Sequence, residues 1–258
     1  MDSAQIIRDA VARVSDLRQQ QAGDFALARS VQAVKTFQSH RFAGTYSDLL
    51  SGGTFQAAAN FFLCELYCDK DFSDRDSQFS RIAGALQTIF PQQVVETAVS
   101  LARLHVTTEE LDHAMAQHWL ALAPPEAPDR RISDAARYVA AWRGVGQREL
   151  RASQLQMVCA MGTELSRLTK KPGLRLMLKM MRKPAHLAGL AALQGFLEAG
   201  FDTFAEIARQ ANGVDVFLSI IAEREGRLMH LLFDGRPIDT ELDLIETLRR
   251  SERKVTIT

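Results

Sequence analysis

Apolar residues recur at spacings of three and four along nearly the whole chain and seldom alternate one by one, a period that leaves helices as the main elements to build with. Ile6, Ile7, Val11, Val14 and Leu17 define a first helix, capped by Asp2 or Ser3 and running to about Gln21. Gly23-Asp24 interrupts it, Ser51-Gly52-Gly53-Thr54 stops the chain and restarts it with Thr54 as the cap, and Pro172-Gly173 breaks it again. Thr107-x-x-Glu110 has the form of a capping box, which predicts that a helix opened by Pro91 ends near His105 and that another runs to Leu122. Lys254–Thr258 alone reads as a short extended tail. The expected fold is all-α, a single bundle of about 10–12 helices.

At its centre the reading places Pro184–Gly200, P-A-H-L-A-G-L-A-A-L-Q-G-F-L-E-A-G, as one buried helix. Pro184 suits the first helical position and Gly200 the residue after the last turn. Leu187, Leu190, Leu193, Phe196 and Leu197 are spread over more than one face, as in a helix enclosed on all sides. The stretch falls short of the roughly 20 apolar residues of a membrane span. Pro124, Pro125 and Pro128 make a stiff connection at 123–132 between an N-terminal half, 1–122, and a C-terminal half, 133–258, of one helical domain.

Composition narrows the classes of function. Lys plus Arg and Asp plus Glu number 31 each, so no global field draws the chain to nucleic acid. The opening M-D-S-A-Q-I-I-R-D lacks the basic and apolar regions of a secretory signal, and three cysteines make no disulfide framework. A cytoplasmic protein is expected. Cys64 and Cys68, four apart, read as buried inert thiols.

The strongest local signal is charge. No acidic residue occurs from Leu165 to Leu197, while Arg167, Lys170, Lys171, Arg175, Lys179, Arg182 and Lys183 supply seven cations. On a helix, Met177 and Met181 share an apolar face with Leu174 and Leu178, and Arg175, Lys179 and Arg182 share another. Such a basic, methionine-rich helix over 167–183 can dock on an acidic protein, an apolar or anionic ligand, or an anionic membrane surface. Packing on the chain's own core, with the charges solvated, is the plainer alternative, and the acidic segment Asp234–Glu246 is available to neutralise it. No aromatic residue interleaves the cations, which disfavours nucleic acid.

Two other clusters could carry chemistry. Glu65, Tyr67, Asp71, Arg75 and Asp76 form a polar corner between two helices, where Arg75 can bridge Glu65 or Asp71 and the carboxylates suit helix starts. His105, Glu110 and His113 include the Glu-x-x-His pair of carboxylate-bridged iron bundles, and His186 is a candidate axial ligand for haem. The second Glu-x-x-His that an iron pair requires is absent. A phosphate-binding Gly-rich loop, a nucleophile elbow and a His-Glu-x-x-His motif are absent too.

Phe61-Phe62-Leu63-Cys64-Glu65-Leu66-Tyr67, followed by Arg75-Asp76-Ser77-Gln78-Phe79, resembles a family of conserved hypothetical proteins from proteobacteria. Leu104-His105-x-x-Thr108-Glu109-Glu110-Leu111-Asp112 and Arg182-x-Pro184-Ala185, with Leu193-Gln194-x-Phe196-Leu197-Glu198, are similar to further parts of the same pattern. The resemblance implies one integrated helical domain, since its blocks lie on both sides of the prolines. Cys68 stands where that family is expected to carry glycine, which speaks against a shared role for this thiol. No activity follows from it.

The leading expectation is a non-enzymatic helical protein that binds a partner or an apolar or anionic ligand through Arg175, Met177, Lys179, Met181 and Arg182. The alternative is a haem- or iron-binding sensor or oxygenase using His105, Glu110 and His113, or His186. A homodimer is open under either reading.

Overall fold

The computed structural model describes residues 2–67, 70–122 and 132–255. Among them are thirteen helices and no strand: α1 (Ser3–Ala22), α2 (Phe25–Thr45), α3 (Ser47–Leu50), α4 (Gln56–Glu65), α5 (Ser73–Ile89), α6 (Gln92–Ala121), α7 (Asp134–Val145), α8 (Arg148–Thr169), α9 (Leu174–Met180), α10 (Arg182–Leu187), α11 (Ala191–Ile207), α12 (Gly213–Asp234) and α13 (Pro237–Val255). The fold is all-α. None of the described helices is long and apolar enough to cross a membrane.

Capping chemistry explains several boundaries. Asp24 accepts hydrogen bonds from the Ala26 and Leu27 amides at 2.9 and 3.1 Å and opens α2. Ser133 does the same for α7 through the Ala136 amide at 3.0 Å, and Gly146 ends that helix at φ 64°. Thr54 does not cap α4: the cap position falls to Phe55, which offers no side-chain acceptor. The capping box at Thr107 is likewise unused, and α6 runs unbroken through it. Thr108 Oγ1 donates to the Leu104 carbonyl one turn back, so its hydroxyl is satisfied inside a continuous helix.

The largest departure concerns 184–200. The stretch is two helices, because Gly189 adopts φ 67° and turns the chain between α10 and α11. Nor does a helix end at Gly200, which lies buried within α11. Leu187 is 88% exposed, and Pro184, His186, Ala188, Ala191 and Ala192 are exposed as well. The proposed dry centre is therefore surface; only Ala185, Leu193 and Gly200 of it are buried. Leucine periodicity over so many alanines and glycines does not reveal which face meets protein. At the other end, α13 carries Lys254 and Val255 in its helix, and the rest of the expected tail lies outside the described residues.

Two compact units share the chain, each drawing on segments from both sides of the proline-rich run, of which 123–131 lie outside the described residues. The first comprises Met1–Asp16, Lys70–Thr108 and Gln156–Ile221. Its core packs Ile7, Phe79, Ala83, Leu86, Val99 and Leu193, with a second cluster of Leu168, Leu174 and Phe201. The second comprises Leu17–Asp69, Glu109–Leu155 and Ala222–Thr258. Its core is aromatic: Phe37 stacks on Tyr138 at 4.3 Å, with Trp119, Trp142, Leu232 and Leu244 around them. There α2 and α13 approach closely enough at Gly44 to leave no room for a methyl group beside the Thr247 carbonyl.

Candidate functional site

In the first unit, the chain from Lys170 to Gly189 lies on the surface as α9 and α10. Leu174 plugs the core beside Leu168 and Phe201, with Met177 and Leu178 half-buried against them. The opposite side is open: Leu176 is 62% and Met180 69% exposed, and Leu187 follows on α10. Met181 is half-buried. The two methionines of the sequence reading thus face inward or sideways, and the apolar groups open to solvent are Leu176, Met180 and Leu187.

The cations divide in the same way. Arg175 holds Asp202 at 2.8 Å and Arg182 holds Glu198 at 2.6 Å, both on α11, while Arg167 pairs with Glu164. The Glu198 carboxyl is pulled below its ordinary range chiefly by the Arg182 hydrogen bonds. Of seven cations three are so engaged, which leaves Lys170, Lys171, Lys179 and Lys183, all exposed, without an ion pair among the described residues. Lys179 remains within electrostatic reach of Glu198. Within the segment Asp234–Glu246, Asp234 pairs with Arg148 and His230, Asp239 with Arg236, and Asp243 with Arg227.

Asp71, Arg75 and Asp76 belong to the first unit, Glu65 and Tyr67 to the second. Asp71 accepts from the Ser73 amide and hydroxyl at 2.8 and 2.9 Å, at the start of α5. Arg75 lies over the Phe72 and Phe196 rings at 3.9 and 4.4 Å. Buried Asp76 meets His105 Nε2 at 2.9 Å. Tyr67 stacks on Phe42 at 4.5 Å. Cys64 is exposed, contrary to the buried thiol expected, and Cys68 lies outside the described residues.

His105, paired with Asp76, is in the first unit, and Glu110 and His113 are in the second. His113 sits between Gln21 at 3.4 Å and Gln117 at 3.1 Å. His186 is exposed on α10. Among the described residues no three His, Cys, Asp or Glu side chains converge as a metal would require.

What the sequence reading missed is a charged interior in the second unit. Lys35, Gln38 and Arg41 line one face of α2 at three-residue steps, and Glu109 and Asp112 one face of α6. Lys35 Nζ donates to Glu109 at 2.8 Å, Gln38 to Asp112 at 3.0 Å, and Arg41 Nη1 to Glu225 of α12 at 2.6 Å. Glu225 also accepts the Tyr46 hydroxyl at 2.9 Å. Burial works against the Lys35 charge, yet the Glu109 and Asp112 carboxylates hold its ammonium above the ordinary value. The Tyr46 and Tyr67 phenols are pushed up by burial and then by Glu225. The signal was present as polar residues at helical spacing beside Val34 and Phe37, but those spacings occur equally on solvated faces.

Burial raises the Asp112 carboxyl above its ordinary value, and Lys35 only partly offsets this. A carboxyl raised on folding contributes most below its unfolded pKa, and that contribution is lost as pH rises through its folded value. Asp112→Asn, which keeps an oxygen for Gln38, therefore stabilises the protein at neutral pH. The gain over wild type shrinks as pH falls into the carboxylate range, in denaturation curves taken at a series of pH values.

A family model described as Domain of unknown function (DUF8198) matches residues 17–239, on both sides of the proline-rich run. No curated protein and no solved structure matches the chain.

Proposed function

The chain belongs to the DUF8198 family, and we propose that it is a non-enzymatic binding protein of the proteobacterial cytoplasm that docks an acidic protein partner on α9 and α10. One observation carries the reading. Leu176, Met180 and Leu187 are 62, 69 and 88% exposed in a stretch without acidic residues, beside four lysines that make no ion pair among the described residues. Apolar side chains exposed together and rimmed by one sign of charge favour a partner with an apolar spot inside an acidic surface. Methionine and leucine adapt their shape to such a spot. Helices of 7 and 6 residues offer too little apolar face for stable insertion among lipids, which favours protein over membrane. Arg175 and Arg182, engaged by Asp202 and Glu198, serve to hold the segment in place.

The experiment compares proteins co-purifying with wild type, with Leu176→Asp/Met180→Asp and with Lys179→Glu/Lys183→Glu. Both variants keep their helix content and melting temperature, since every changed side chain is exposed. Both lose the same specific partner by at least about tenfold. A partner set unchanged in both variants, or binding only to anionic vesicles in a flotation assay, overturns the reading.

A further inference from the structure

The interior of the second unit carries a surplus of hydrogen-bond donors. Lys35 has Glu109 and Arg41 has Glu225, but Arg151, only 4% exposed, has no carboxylate hydrogen-bonded to it among the described residues. Its guanidinium stacks on Trp142, 3.5 Å from the ring centroid, with Nε and Nη2 both unpartnered. Trp142 Nε1 and Arg41 Nε are orphaned in the same way. Among the described residues, all four buried side-chain atoms that lack a partner are N–H donors, and none is an acceptor. The Tyr138 phenol feels both arginine charges and has Gln38 beside it.

A buried donor left dry is costly, a guanidinium's most of all, so four together call for an occupant that brings acceptors. Arg151 is held in place for such a role. The turn before α8 sets Gly146 at φ 64° and Gln147 at φ 53°, an uncommon backbone for glutamine, and Arg151 then lies in the first turn or so of α8, against Trp142 of α7. Asp112 is the one carboxylate within electrostatic reach of Arg151, and burial favours its neutral form. Lys35 and Arg41 each hold a carboxylate of their own, Glu109 and Glu225, whereas the Arg151 guanidinium has none hydrogen-bonded to it among the described residues.

We infer that the interior of the second unit binds a small oxyanion, a carboxylate or a phosphate, on the free N–H groups of Arg151 and Trp142. The guanidinium plane matches two oxygens of either group, which a chloride ion cannot reproduce.

Titration calorimetry with inorganic phosphate and with acetate, each against chloride at equal ionic strength, tests this directly. One of the two binds saturably at one site per chain, and which one does so identifies the ligand class. In a Trp119→Phe background, where Trp142 is the sole indole, the same titration shifts the emission spectrum. Arg151→Met weakens binding at least about tenfold, and Arg151→Lys retains part of it. If Arg151→Met fails to fold, as judged by circular dichroism, the wild-type titration and the Trp142 signal decide alone. Absence of saturable binding by either anion overturns the inference and leaves water as the occupant. Binding that survives intact in a folded Arg151→Met marks an adventitious ion only, and overturns it as well.

Discussion

Glu225→Ala lowers the stability of the protein by about 3–5 kcal/mol, because it strands the Arg41 guanidinium in the interior without its counter-charge. Arg41 and Glu225 are both buried and joined at 2.6 Å, and Tyr46 gives its hydroxyl to the same carboxylate oxygen. Removing the carboxylate leaves a charge and a phenol unsatisfied together. For a chain of this length the loss corresponds to a fall in melting temperature of roughly 10 °C. Glu225→Gln is milder, since the amide oxygen still accepts from both donors. Arg41→Met/Glu225→Met recovers much of what either single change loses, because no lone charge remains buried. Denaturant titrations of wild type, Arg41→Met, Glu225→Met and the double variant close this cycle; strictly additive losses would show that the two side chains do not act as a pair.

Gly44→Val costs about 3 kcal/mol by overpacking. Gly44 sits in α2 where α13 crosses it, and the obstacle is the Thr247 backbone carbonyl, which cannot swing aside as a side chain would. To accept valine, α13 must move away from α2, loosening contacts of Leu244 and Phe37 in the aromatic core. Gly195, whose added Cβ meets nothing within contact range, is the control: Gly195→Ala on α11 is neutral or slightly stabilising. The pair is read by thermal melting of otherwise identical proteins.

These sites show where reading the residues succeeds and where it stops. The helical class and many helix positions follow from period and caps, as at α1, α2 and α7. Boundaries that depend on a single residue were less secure. Thr107 lies inside a continuous α6 instead of opening a new helix, and Gly189, one of several small residues in its stretch, turned out to be the one in the left-handed region. Burial was the weakest point. Leu187 and Leu193 look alike in sequence, yet one is open to solvent and the other lies in the core, because α10 and α11 are separate helices. Conversely, Lys35, Arg41 and Glu225 look like surface residues, and only tertiary pairing over separations of 74 and 184 positions accounts for their burial. The cationic segment was visible as a composition gap. Which of its cations are engaged depends on Asp202 and Glu198, residues that sequence alone does not bring to it.

Everything proposed for α9 and α10 rests on that segment standing open to solvent, and thiol labelling measures this most directly. Leu187→Cys and Leu193→Cys are introduced separately, and the rate of modification at each new thiol is followed by peptide mass, apart from the native cysteines. The cysteine at 187 reacts within a small factor of its rate in the denatured chain, and the one at 193 at least ~100-fold more slowly. Equal protection at both positions would mean that 184–200 is an enclosed helix after all, and the docking surface would not exist.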